Sequence, residues 1–185
     1  MADLRKFDDQ QKLLLEIIKR YDSYINSSNS KIAIILSYCM AYIGGLGFKL
    51  VDVSDKRAHD AWWWGLLLVS LASVGVTLWA ARYAYLALHP QLPSGRASHE
   101  GPSAIFFGDV ARHPGGRDGY AASLGAMTDE EVVKDLSHQA HTLAGIAAHK
   151  FSLLGQATSF IVHFQIPLFG VILAVLLTAL QQQST

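Results

Sequence analysis

Formal charge is scarce in this sequence: Asp, Glu, Lys and Arg make up 16% of its 185 residues, and fifteen basic residues cancel fifteen acidic ones. With no basic surface in prospect, a nucleic-acid-binding domain is not expected. Cysteine is nearly absent. The one thiol, Cys39, lies inside an apolar run, which excludes a disulfide framework and a cysteine-based metal site and leaves a packing role. No secretory leader is visible, because the first thirty residues are charged and amphipathic rather than a short apolar core followed by a cleavage site. A nucleophile elbow, a phosphate-binding glycine loop and a metalloprotease helix motif are all missing, and the carboxylates show no pairing suited to acid–base work. An enzyme is therefore not expected, and no catalytic residue, cofactor or metal ligand is assigned.

What is plentiful is apolar sequence. Apolar residues make up 51% of the chain, and they are clustered. From Ile32 to Val51 only Lys49 is charged, while Ala61 to Ala81 and Phe151 to Leu180 carry no formal charge. A bilayer core of about 30 Å needs about 20 such residues in a helix, so each run can span it. The sequence thus predicts an all-α integral membrane protein with three transmembrane helices, cytoplasmic helical stalks and a Pro/Gly-rich cytoplasmic loop. The expected divisions are a cytoplasmic amphipathic helix over 1–30, a transmembrane hairpin over 31–88, a cytoplasmic loop over 89–127, a stalk helix over 128–150 and a third transmembrane helix over 151–181.

In the N-terminal segment Leu4, Phe7, Leu14, Leu15, Ile18, Tyr21 and Ile25 recur at helical spacing, and the other face carries charges of both signs. A membrane-surface helix would be more one-sidedly basic, so this one is expected to pack on protein. The run Asn26-Ser27-Ser28-Asn29-Ser30 reads as a short break or polar turn. Ser37, Ala41 and Gly45 in the first span, and Ser73, Thr77 and Ala81 in the second, give small-residue faces for close helix approach. Residues 52–60 are expected to form a tight hairpin, followed by Trp62, Trp63 and Trp64 where an interfacial aromatic belt would lie. Lys and Arg number six in residues 1–31, six from Arg82 to Lys150, three around the hairpin and none in the tail, which favours a cytoplasmic N-terminus and central region.

Residues 89–127 hold four of the five prolines and seven glycines, so regular structure is expected there only around Ile105-Phe106-Phe107. A helix should restart at Thr128, with Glu131 completing a capping box. Its apolar stripe, Val132, Leu136, Ala140, Leu143 and Ala147, can continue past Lys150 into the last span, and the stalk is expected to pack on the N-terminal helix.

Several side chains invite chemistry. His138, His141 and His149 fall within about 80° on a helix, near Asp135, and read either as metal ligands lacking a closing partner or as a solvated face. Ser152, Gln156, Ser159 and His163 recur every three or four residues in the third span, followed by Gln165 and Pro167. Polar groups in a membrane helix are costly unless they face helices or water, so the stripe either lines a pore or forms a hydrogen-bonded helix interface. Pro167 should loosen the helix and offers a bend point. Phe106 and Phe107 could stack on a nucleobase or tie their loop to the stalks in a small apolar cluster. Asp135, Gln139 and Lys150 could recognise polar ligand groups, or could simply belong to a solvated stalk face.

Three stretches then carry a resemblance: Asn29-Ser30-Lys31-Ile32-Ala33 before the first span, Ile105-Phe106-Phe107-Gly108-Asp109-Val110 after the second, and Asp135-Leu136 with Gln139, Leu143, Ala144, Ile146, Ala147, Lys150 and Phe151 before the third. Over most of the chain they resemble the transmembrane effector family of bacterial Pycsar anti-phage systems. The resemblance implies a multi-pass protein of the bacterial inner membrane, activated by cyclic UMP or cyclic CMP from a companion nucleotide cyclase that need not touch it. It implies impairment of that membrane, growth arrest or death of the infected cell, and a homo-oligomer in the lipid bilayer. Asn29, Lys31, Phe106, Phe107, Asp135, Gln139 and Lys150 would be the nucleotide-binding residues. Family members often place an acidic residue before a Lys-Ala pair, where this sequence has Asn29 and Lys31-Ile32-Ala33. The alternative from another class is a constitutive structural or transport subunit of a membrane complex, without ligand gating.

Overall fold

The computed structural model describes residues 2–56, 61–89 and 103–183, with side chains at 6–55, 61–89 and 103–178. Among the described residues every regular element is helical. These are α1 (Ala2–Lys56), α2 (Ala61–Leu88), the single turn α3 (Phe107–Val110), α4 (Gly116–Ala126) and α5 (Asp129–Phe160), followed by a π turn (Ile161–Gln165) and α6 (Ile166–Gln183). Three helical stretches are long and apolar enough to cross a membrane: one in α1, one in α2 and one in the run from α5 into α6. Two compact units result, Met1–Ser27 with Pro90–His149 and Ser28–His89 with Lys150–Thr185.

The second unit holds the apolar runs. Lipid tails are as apolar as leucine, so these helices associate by close packing and hydrogen bonds rather than by escape from water. One cluster joins Ile32 of α1, Ala84 and Ala87 of α2, and Leu154 and Ala157 of α5. Three of its five members are alanines, which let the backbones approach. A second cluster joins Leu46, Trp63, Leu66 and Ile172. Trp63 is thus a core residue, whereas its neighbour Trp64 is 60% exposed. Cys39 is buried, in keeping with a packing role. Ser73 and Thr77 are buried, but Ser37, Ala41 and Gly45 of the other small-residue face are exposed.

Three local expectations need correcting. Asn26-Ser27-Ser28-Asn29-Ser30 is neither break nor turn: α1 runs through it, and Ser28 is fully buried. Tertiary packing overrides the modest helix penalty of short polar residues. The helix also continues to Lys56, so the connection expected over 52–60 begins inside α1, and its remainder, 57–60, lies outside the described residues.

The third correction is α4, an 11-residue helix in the region expected to be irregular beyond Phe107. Its glycines build the helix start instead of dissolving it. Gly116 has φ +60°, a left-handed conformation that side chains resist. A Cβ on Gly115 would come within 2.8 Å of the Gly119 Cα, so the two backbones can close this far only because residue 115 carries no side chain. The start of α5 is as expected: the Thr128 N–H donates to Glu131 Oε2 at 2.8 Å and the Glu131 N–H to Thr128 Oγ1 at 3.3 Å, a reciprocal capping box.

Candidate functional site

The seven candidate ligand residues fall in both units. In the first, a short loop presents Phe106 and Phe107, and hydrogen bonds fix its shape. Ser103 Oγ accepts the N–H groups of Ile105 and Phe106. Asp109 accepts the Ser103 N–H at 3.1 Å. Both backbone groups of Ala104 are held from outside the loop, its N–H by Asp135 Oδ2 of α5 at 2.9 Å and its carbonyl by the Tyr120 hydroxyl of α4 at 2.9 Å. Asp135 therefore anchors the aromatic loop, and Gln139 is half-buried one turn further along α5. The Phe106 ring folds back over Gly108, where a Cβ would meet it at 2.7 Å. Phe107 is 65% exposed, its ring centroid 5.0 Å from that of Phe106.

The Glu131 carboxyl at the start of α5 is held below the usual glutamate range, first by the Thr128 N–H and then by the Thr128 hydroxyl. His138, His141 and His149 are exposed, and no group of three or more His, Cys, Asp or Glu that could hold a metal ion occurs among the described residues.

In the second unit Lys150 and Asn29 meet directly. The Lys150 ammonium, 8% exposed, donates to Asn29 Oδ1 at 2.9 Å and to the Ala87 carbonyl at 2.6 Å. Ala87 lies in the last turn of α2, whose carbonyls lack intrahelical donors and carry the negative end of the helix dipole. Lys150 thus caps α2 from α5 while holding α1 through Asn29. A buried ammonium is expensive unless paired in this way. Lys31, on the exposed side, has its Nζ 5.8 Å from the centroid of the Phe151 ring.

Deeper in the same unit are polar contacts that the sequence reading did not single out. Tyr38 donates to Gln165 Oε1 at 2.6 Å, and Tyr42 shares a hydrogen bond with Ser73 Oγ at 2.6 Å. Gln165 closes the π turn and is fully buried, yet its Nε2 has no partner, and neither has the buried Ser70 hydroxyl. Unpaired polar atoms of this kind cost about 1–3 kcal/mol each and often mark functional positions. The available signal was Gln165 itself, since a glutamine inside an apolar span needs an explanation.

The third-span stripe does not face the other two spans of its own chain. Ser152, Gln156, Ser159, His163 and Pro167 are all exposed. His163 Nδ1 lies 3.0 Å from the Ser159 carbonyl and 3.2 Å from its hydroxyl, so the two residues bond along their own helix.

Comparison with known proteins agrees with the resemblance read from the sequence. The family model described as the Pycsar effector protein domain matches residues 13–180. Nothing among curated proteins or solved structures matches the chain.

Proposed function

We propose that this chain, which belongs to the Pycsar effector protein family and so is an effector of anti-phage defence, acts by impairing the bacterial inner membrane when a cyclic pyrimidine nucleotide, cyclic UMP or cyclic CMP, binds its cytoplasmic part. A companion cyclase would supply the nucleotide without needing to touch the effector. The N-terminus is cytoplasmic in this reading, several copies assemble, and infected cells stop growing before phage can spread.

The observation that carries the membrane half of this reading is the outward polar face of the third span. Ser152, Gln156, Ser159 and His163 are exposed in a segment otherwise suited to hydrocarbon, and polar groups at such depth mark paths for water, ions or protons. The nucleotide half is supported by Phe107, exposed beside Phe106 on a loop fixed by Asp135 and Tyr120. An aromatic face offered on an ordered loop suits stacking on a base. Gln139, one turn beyond Asp135 on the same helix, joins them in this unit, and Asn29, Lys31 and Lys150 are separate ligand candidates in the other.

Turning a population from 1:99 closed to 99:1 open requires a ligand preference of about 5.5 kcal/mol for the open state. Several identical sites in an oligomer would share that requirement.

The deciding experiment records membrane potential in bacteria expressing the chain, before and after supplying cyclic UMP, cyclic CMP, cyclic AMP or cyclic GMP. Depolarisation with a pyrimidine nucleotide alone is expected. Silence with all four, in cells where the protein is inserted, would refute nucleotide gating and favour a constitutive subunit.

A further inference from the structure

The three spans differ in what they turn outward. Exposed side chains of the first, apart from Ser37, are mainly apolar, as at Ile34, Met40 and Phe48, and those of the second include Leu68, Leu71 and Trp79. On the third, Ser152, Gln156, Ser159 and His163 are exposed; the first three, at intervals of four and three on α5, share one face within about 60° at 3.6 residues per turn, and His163 follows in the π turn. The buried positions nearby, Leu154, Ala157 and Gln165, lie on the inner side.

One detail sharpens the demand for a partner. His163 is exposed, and its Nδ1 lies 3.0 Å from the Ser159 carbonyl and 3.2 Å from the Ser159 hydroxyl, so its ring is held against its own helix. Lipid tails satisfy none of these groups.

We propose that this outer face of α5 and the π turn, from Ser152 to His163, is the surface on which copies of the chain meet, a step that deepens the membrane-effector reading and rests on it. The occupant follows from chemistry. A bilayer receives every copy the same way up, so equal levels meet across a parallel assembly. Serine hydroxyls and the glutamine amide each carry donor and acceptor, so each level complements itself. At the His163 level two imidazoles meet, and an imidazole also carries a donor and an acceptor nitrogen. The face is therefore packed through the levels of Gln156 and Ser159.

Disulfide trapping tests this in membranes of bacteria expressing the full chain, with no nucleotide supplied. Cys39 is replaced by Ser, or retained with the parent chain as background where its replacement lowers insertion. Single cysteines are then placed by Gln156→Cys, Ser159→Cys, Met40→Cys or Leu68→Cys, and oxidised dimer is measured. Dimer at positions 156 and 159 is expected to exceed that at 40 and 68 several-fold. Adding Gln156→Leu to Ser159→Cys should lower its dimer fraction about threefold, the weight of one ordinary interhelical hydrogen bond in a membrane. Equal trapping at all four positions, a preference for 40 or 68, or no dimer anywhere at equal membrane levels would overturn the interface. Since no nucleotide enters, a failure of nucleotide gating leaves the trapping pattern intact, and the two readings fail separately.

Discussion

Lys150→Met keeps roughly the length of the side chain and removes its charge and its donors. The native ammonium serves Asn29 Oδ1 at 2.9 Å and the Ala87 carbonyl at 2.6 Å from a nearly buried position. Its loss leaves the Ala87 carbonyl without that donor, a penalty of about 1–3 kcal/mol. Removal of a cation from the C-terminal end of α2 adds about 0.3–1 kcal/mol. The variant also escapes the cost of burying an ammonium, which offsets part of the loss. A net destabilisation of about 2 kcal/mol remains, roughly a thirtyfold shift in the folding equilibrium. The assay is equilibrium unfolding in mixed micelles followed by helical circular dichroism, for Lys150→Met, Asn29→Leu and the double variant. Because the two side chains touch, their effects should fail to add by about 1 kcal/mol. A Lys150→Met protein as stable as its parent, or strictly additive variants, would refute the clamp.

Two further predictions concern groups of the same kind. Tyr38→Phe removes the donor to Gln165 and should cost about 0.6–1.7 kcal/mol, the range for hydrogen bonds between membrane helices; adding Gln165→Leu should recover part of the loss in the same micelles, because leucine brings no unpaired amide. Glu131 has a carboxyl held below its ordinary range, so its capping contribution is complete above the unfolded-state value and fades as pH falls through the depressed one. Amide exchange at the start of α5 should therefore accelerate only in acid below the ordinary glutamate range, with Thr128→Val, which removes the hydroxyl and keeps the N–H, reducing but not abolishing the depression seen by carboxyl NMR titration.

The parts of this fold that were legible in the sequence are those fixed by local pattern. Long uncharged runs announce helices able to span a bilayer because hydrocarbon tolerates no other composition. Thr128 and Glu131 announce a helix start because their reciprocal bonds span only three residues. What escaped depends on contacts distant in the chain or on conformation that glycine hides. Lys150 looks like a solvated stalk residue until Asn29 and Ala87, distant in sequence, close on it. The glycines at 115, 116 and 119 read as disorder by composition but permit a left-handed residue and a close backbone approach, and α4 follows. The polar run before the first span looked like a break because propensity is a weak guide where packing decides. At the candidate site, residue types suggested aromatic stacking and polar recognition, while the anchoring of the Phe106 loop by Asp135 and Tyr120 needed three dimensions.

The π turn at Ile161–Gln165 bears on how relatives of this chain should be aligned. Such a turn holds one residue more than an α turn of the same contour, so residue number and helix face fall out of step beyond it. By counting, Pro167 continues the series from Ser152 to His163, yet it stands past the slip. A relative lacking one residue between 161 and 165 would have an unbroken helix there, and the gap would be the trace of an insertion gained or lost. Substitutions at 165 and 167 should travel with that gap, because a buried amide and a proline without its N–H are both accommodated where the turn is widened.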